Sequence, residues 1–240
     1  MARVKVLHVI NNLRGGGAEE QLRLLLQCLP PDRIESAVWC ADARMDFGDL
    51  GDEVTVVEAP RRFRWDLRWG ALAQFLEEWQ PDVVHNWLPA TIWTSAVPIR
   101  LRSNARFLGA YRNTYSLWSL RRLLQLGGYL FVDQIVSNTA VPGPGYGWMF
   151  RRRNGVVIHN AIDMERLSCA KPAGPAGLAL KNAVTFLFAA RIVGHKNLKV
   201  AIDAISALRD EGRRVKLVVC GDGPMRQELM EVVAKRELGD

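Results

Sequence analysis

The sequence predicts an α/β protein: a doubly wound parallel sheet followed by a second unit of the same design that holds only two β/α repeats. Three observations carry this. Short apolar runs alternate along the chain with stretches of helical periodicity, as βα repeats require. The first run, Val4 to Ile10, leads through Asn11, Asn12, Leu13 and Arg14 into Gly15-Gly16-Gly17 and then a helical pattern, which reads as strand, glycine loop, helix. A Pro/Gly/Ala cluster without periodicity, Ser168 to Lys181, sets the two β/α repeats apart from the rest.

The glycine loop lets the backbone take φ > 0 and come close to a ligand, and the free N–H groups of the next helix suit an anion, most often a phosphate. A tight turn with no ligand uses the same residues. In the helix that follows, Leu22, Leu25, Leu26 and Leu29 form one apolar stripe, stopped by Pro30-Pro31. Glu19 and Arg23, one turn apart, are expected to pair along it. Two β-like runs come next, 36–41 and 54–59, joined by the Gly/Asp-rich stretch 46–52. A second helix carries Leu72, Phe75, Leu76 and Trp79 and stops before Pro81; a strand over 82–87, a helix over 90–102 and a strand over 106–110 follow. The basic amphipathic stretch 117–129 precedes a strand over 134–138, a Pro/Gly-rich segment at 141–147 opens a short helix, and 156–163 reads as a strand with a turn. Beyond the linker come a strand over 184–191, a helix with Leu198, Ala201, Ile202, Ile205 and Leu208 that closes at Gly212, and a strand over 216–220. The turn Gly221-Asp222-Gly223-Pro224 and a last helix with Met225, Leu229, Val232 and Val233 complete it. The expected organisation is a domain over 1–167, a linker over 168–182 and a partial domain over 183–240.

With 240 residues, 49% of them hydrophobic, the chain can bury a sizeable core. Its net charge of +7, from 32 Lys and Arg against 25 Asp and Glu, favours acidic partners such as nucleotides or phospholipids. Cys28, Cys40, Cys169 and Cys220 lie far apart with no metal-ligand spacing, which points to reduced thiols in a cytoplasmic protein and to no metal. No signal-peptide core is seen, and no window reaches the roughly 18 apolar residues of a membrane span. Membrane contact is therefore expected to be peripheral, at the inner face. The stretch Arg61-Arg62-Phe63-Arg64-Trp65-Asp66-Leu67-Arg68-Trp69 interleaves cations with aromatics and fits an anionic membrane surface. Nucleic acid is not an expected partner, because no recognised module accompanies these residues.

In open α/β sheets ligands bind beyond the carboxyl ends of the strands, so polar residues that appear there are site candidates. His85, Asn86 and Trp87 close one strand, Tyr111-Arg112-Asn113-Thr114 follow another, and Asn138 ends a third.

The order of elements, together with Gly15-Gly16-Gly17-Ala18-Glu19, Val157-Ile158-His159-Asn160-Ala161-Ile162-Asp163, Ala190-Arg191-Ile192 with Lys196-Asn197, and Gly221-Asp222-Gly223-Pro224, resembles the family 4 retaining glycosyltransferases of GT-B fold. The resemblance covers nearly the whole chain. It implies two Rossmann-like domains facing each other across a cleft, the first for the acceptor and the second for a nucleotide-sugar donor. Arg191 and Lys196 match the donor-diphosphate pair, where two cations neutralise a diphosphate without a metal. Gly16 and Gly17 are implied to contact the same diphosphate from the opposite domain, Gly223 to contact the donor, and Asn113 and Asn138 to lie on the acceptor side. Where the family commonly has a histidine after the fifth strand, this chain has Arg112. A guanidinium stays protonated and cannot act as a base, but it can stabilise a departing phosphate or grip an anionic acceptor. His85 is the second candidate for the transfer step. The resemblance implies no cofactor beyond the nucleotide-sugar substrate, and a glycan or lipid-linked acceptor. The family's paired glutamates would fall beyond Asp240, so slow or no turnover is expected of a chain truncated in its donor domain.

Two rivals compete. Gly15 and Gly17 with Asp42 imitate a dinucleotide fingerprint, as in an NAD(P) oxidoreductase, but Glu20 stands where that motif needs a small residue. The other is a non-catalytic half-enzyme that binds a partner through an unpaired sheet edge.

Overall fold

A computed structural model of the chain describes residues 2–45, 49–59, 67–112, 125–140, 147–169 and 183–239. Two compact units result, Met1–Asp163 and Met164–Asp240. The first is built on one sheet of parallel strands in the order β3-β2-β1-β4-β5-β6-β7. These are β1 (Val4–Val9), β2 (Ile34–Cys40), β3 (Thr55–Glu58), β4 (Val83–Asn86), β5 (Arg106–Tyr111), β6 (Gln134–Ser137) and β7 (Val156–Val157). The helices between them are α1 (Gly17–Cys28), α2 (Leu67–Trp79), α3 (Pro89–Arg102) and α4 (Gly147–Arg152). The strand order reverses between β1 and β4, which makes that junction the switch point of a doubly wound sheet.

Side-chain alternation sorts the strands onto two cores. Leu7, Val9, Ala37, Trp39, Val84, Phe107 and Tyr111 face one layer, where they meet Leu72 and Leu76 of α2 and Ile92, Ala96 and Ile99 of α3. Val38, Cys40 and Trp87 face the other, with Leu22 and Leu26 of α1. Burying each such side chain contributes about 1.5–3 kcal/mol, which is what holds both faces of the sheet covered. Across β1 and β4 the register pairs His8 with His85, so both imidazoles share the α1 face.

The second unit pairs β8 (Val184–Ala189) with β9 (Val215–Cys220) in parallel and adds α5 (Met164–Cys169), α6 (Leu198–Asp210) and α7 (Arg226–Lys235). Its core is small: Ile192, Leu198, Ile202 and Leu229 are buried, with Phe188, Leu217, Val232 and Val233 packed against them. Val184 and Leu187 of β8 stay 60% and 67% exposed.

Several expectations change. Neither Gly16 nor Gly17 lies in the left-handed region; Gly16 is at φ −149°, and a Cβ there would meet only the movable carboxylate end of Glu19, 2.3 Å from Oε2. Arg23 makes its ion pair with Glu20 at 2.8 Å, a three-residue spacing, and reaches Gln27 with Nη1. The strand read over 156–163 is ladder-paired only at Val156 and Val157, because past Ile158 the chain turns to α1, where Gln21 clasps Ala161 through two hydrogen bonds of 2.9 and 2.7 Å. Lys196 ends the 3₁₀ turn Gly194–Lys196, and Asn197 at φ 57° separates that turn from α6 at Leu198. The proposed linker closes α5 with Ser168 and Cys169 and otherwise lies outside the described residues, as do Asn113 and the basic stretches 61–66 and 117–124.

Candidate functional site

On the α1 face of the first unit, alternation brings polar residues to the carboxyl ends of β1, β4 and β5 at the switch point. His8, His85 and Trp87 converge there, with ring centroids 5.8 Å apart for the two imidazoles and 4.7 Å for His85 and Trp87. The indole N–H of Trp87 donates to His8 Nδ1 at 3.2 Å, so His8 carries its proton on Nε2. Burial drives both rings neutral: His8 is lowered to about 4, and His85 well below its ordinary value, with the His8 and Arg112 charges adding to the desolvation. Nε2 of each is buried without a hydrogen-bond partner.

Arg112 follows β5 on the same face. Its guanidinium lies 4.4 Å from the Trp87 ring centroid, and Nη1 donates to Asn160 Oδ1 at 3.3 Å. Nε is buried and unpartnered. Desolvation lowers its pKa to about 10, and the Glu19 carboxylate works against that from a distance. Asn86, on the opposite face of β4, turns its amide into the α3 layer and donates to Ser95 Oγ at 2.8 Å, leaving its own Oδ1 buried and unpartnered. Asn138 follows β6; its backbone carbonyl lies 3.2 Å from His159 Nδ1 and its N–H reaches Tyr111 O at 3.4 Å. Asp42, the acid of the dinucleotide-like reading, is held by Arg14 at 2.9 Å and Arg44 at 2.7 Å.

The sequence thus placed His85, Trp87 and Arg112 at one edge, and the structure adds His8, Asn160 and Glu19. His8 could have been found by applying the strand-end rule to β1, since the order reverses beside it. Asn160 could not, because it reaches Arg112 from a segment 48 residues on.

In the second unit the loop after β8 carries Arg191, and the turn before α6 carries Lys196. Both are exposed, and neither makes an ion pair or a hydrogen bond through its side chain among the described residues. Gly221, at φ 152°, and Gly223 press against this loop: a Cβ would fall 2.0 Å from Ala190 O or 2.2 Å from Ile192 O. The backbone bonds Ile192 N to Asp222 O at 2.9 Å and Ala190 N to Cys220 O at 3.1 Å lock the two loops together. Gly223 therefore fixes the platform on which Arg191 stands. An open hollow of about 690 Å³ lies at the other end of the strands, lined by Val184, Phe186, Leu208 and Val215. Among the described residues its charged lining is Arg213 and Arg214. Among the described residues no group of His, Cys, Asp and Glu is arranged to hold a metal ion, and no helix is long and apolar enough to cross a membrane.

The family model for Glycosyltransferase Family 4 matches residues 15–166, and that for Glycosyl transferases group 1 matches residues 175–240. No curated protein sequence matches the chain. Among solved structures it is similar to the lipopolysaccharide outer core galactosyltransferase WaaB, with a TM-score of 0.64 at 12% identity over 98% of this chain and 66% of that one. It is likewise similar to WaaG, a glycosyltransferase involved in lipopolysaccharide biosynthesis, at 0.69 and 11% identity over 97% and 67%. The TarM of S. aureus, solved with fondaparinux, alpha-GlcNAc-glycerol and UDP, gives 0.52 at 12% identity over 73% and 36%. The chain thus spans about two thirds or less of these relatives, and at such identities the likeness is one of fold.

Proposed function

The chain belongs to glycosyltransferase family 4, with a GT-B type fold, and from that membership we propose that it transfers a sugar from a nucleotide-sugar donor, with retention, to a glycan or lipid-linked acceptor. The observation that carries this reading is the pair Arg191 and Lys196. Two exposed cations with no partner among the described residues stand on a loop locked by Gly221 and Gly223, at the sheet edge where ligands of such folds bind. Each can form charge-assisted hydrogen bonds of about 1.5–3 kcal/mol to a diphosphate. Such a pair does the work of a metal, so transfer needs no added cation.

In the first unit Gly17 faces open space at the start of α1, while the Glu19 carboxylate fills the space beside Gly16; the backbone of both is assigned to the donor diphosphate. The transfer step is assigned to Arg112, as an electrostatic stabiliser of departing phosphate. His85, buried and neutral, shapes the surroundings of Arg112 and stays out of proton transfer near pH 7. The acceptor side takes in Asn138 and Asn113, and the anionic inner face of a membrane is where a lipid-linked acceptor would be met.

The test is calorimetric titration of the full chain with a panel of nucleoside diphosphates and nucleotide sugars, with and without EDTA. Arg191→Gln and Lys196→Gln are each expected to weaken binding by about tenfold or more. NMR of any product gives the anomeric configuration. Binding that is indifferent to both substitutions, or an inverted product, would remove the corresponding part of the proposal.

A further inference from the structure

Arg112 shares with Arg153 a buried Nε without a hydrogen-bond partner, but of the two only Arg112 lies against Trp87 beyond the carboxyl end of β5. The Arg112 charge is half-buried, yet among the described residues its one hydrogen bond goes to a neutral amide, Asn160 Oδ1; Nε is buried without a partner, and no acceptor for Nη2 is found among those residues. By contrast Arg3, Arg14, Arg23, Arg44, Arg100 and Arg102 each meet a carboxylate. A desolvated cation is normally paired, because leaving it alone forfeits hydration with nothing in return. The Trp87 face supplies part of the return and the Glu19 carboxylate another. Among the described residues neither accepts a hydrogen bond from the Nε–Nη2 fork. That fork is the planar, two-donor edge that matches two oxygens of one tetrahedral oxyanion.

The walls of the place agree. His8 and His85 are neutral and their Nε2 atoms are unpartnered, so no second cation or competing carboxylate is built in to fill the fork from the sheet side. Because Trp87 donates to His8 Nδ1, the indole is pinned in plane and the guanidinium resting on it is held in one orientation. The fork is preorganised and meets no acceptor among the described residues.

We propose that Arg112, oriented by Trp87 and Asn160, is an anion seat in the first unit that takes a phosphate group of the substrate. This rests on the transferase reading only for its sources of phosphate. One is the diphosphate of the donor; the other is a phosphate carried by the acceptor, which makes the acceptor class phosphorylated rather than neutral.

The experiment follows the side-chain Nε–H signals of arginine by ¹⁵N NMR in the full chain, with binding measured by calorimetry. The probes are inorganic phosphate, glycerol 1-phosphate and UDP, with glycerol as the uncharged control. Arg112→Gln, Arg112→Lys and Asn160→Ala are compared with the double variant Arg191→Gln/Lys196→Gln, and circular dichroism checks that each folds. Phosphate and glycerol 1-phosphate are expected to move one Nε–H signal that is absent in Arg112→Gln, with affinity reduced about tenfold or more there, and by less in Arg112→Lys, which keeps charge but loses the fork. The double variant should leave the movement of this Nε–H signal in place. If Arg112→Gln also weakens UDP, the seat takes donor phosphate; if UDP is unaffected, it takes the acceptor's. Folded wild-type chain that binds none of the three anions, or Arg112→Gln that binds them equally well, overturns the seat. UDP binding that depends on Arg191 and Lys196 but not on Arg112, with no binding of the monoester, removes the seat and leaves the transferase reading standing. Monoester binding lost in Arg112→Gln, with UDP indifferent to Arg191 and Lys196, does the reverse.

Discussion

At the scale of single residues, the first unit stores a pH dependence in two neutral histidines. An unfolded imidazole takes up a proton near pH 6.5, whereas folded His8 refuses it until about pH 4, and His85 is depressed in the same direction. The unfolded chain therefore binds more protons across that window, so stability should be level above pH 6.5 and fall as pH drops from 6.5 toward 4, by about 3 kcal/mol from His8 alone. Urea unfolding of the first unit at several pH values checks this. His8→Gln, whose amide oxygen can still accept from Trp87, should shrink the slope, and an unchanged slope would show that His8 is not its source. The strand-end rule made His85, Trp87 and Arg112 legible in the sequence, because a polar residue closing an apolar run has few places to be except the carboxyl edge of the sheet. His8 was hidden by the same logic applied one strand short. Which face a residue occupies is set by a period of two, and that period shows His8, His85 and Trp87 together only once β1 and β4 are known to be neighbours in register.

At the scale of elements, two glycine loops that look alike in sequence work differently. Gly223 has the Ile192 carbonyl where a side chain would go, while Gly17 begins α1 in open space. Gly223→Ala should lower the stability of the second unit by about 1–3 kcal/mol and shift the loop that carries Arg191. Gly17→Ala should leave stability unchanged or raise it by up to about 1 kcal/mol, since alanine costs the folded helix nothing and reduces the freedom of the unfolded chain. Thermal unfolding of the two variants separates them, and equal losses would mean that the packing at Gly223 has been misjudged. Helix periodicity gave α1 and α6 within a few residues, because their apolar stripes are long. The turn at Lys196 was less legible: Asn197 in the left-handed conformation is a property of backbone geometry that a run such as Gly-His-Lys-Asn does not announce. The reach of β7 was overread for a related reason. Val156 to Ile162 is apolar enough for a long strand, but its later part finds its partner on a helix side chain.

At the scale of the whole molecule, the two units differ in how much they bury. The first has two cores, one on each face of its sheet, whereas the second rests on four buried residues, with much of β8 open to solvent. Hydrogen exchange should therefore be faster at the amides of β8 and β9 than at those of β1 and β4, and the chain should melt in two steps with the second unit first. A single cooperative transition with uniform protection would contradict this.

The clasp between Gln21 and Ala161 has its own consequence. It joins residues 140 positions apart, so closing it requires nearly the whole first unit to be present and costs more loop entropy than any helix within it. The neighbouring Asn160, which meets Arg112, is delivered by the same closure. Contacts of such long range form late, and this part of the site is therefore a record of completed folding: a nascent or partly unfolded first unit holds its strands and helices before it closes the clasp that brings Asn160 to Arg112.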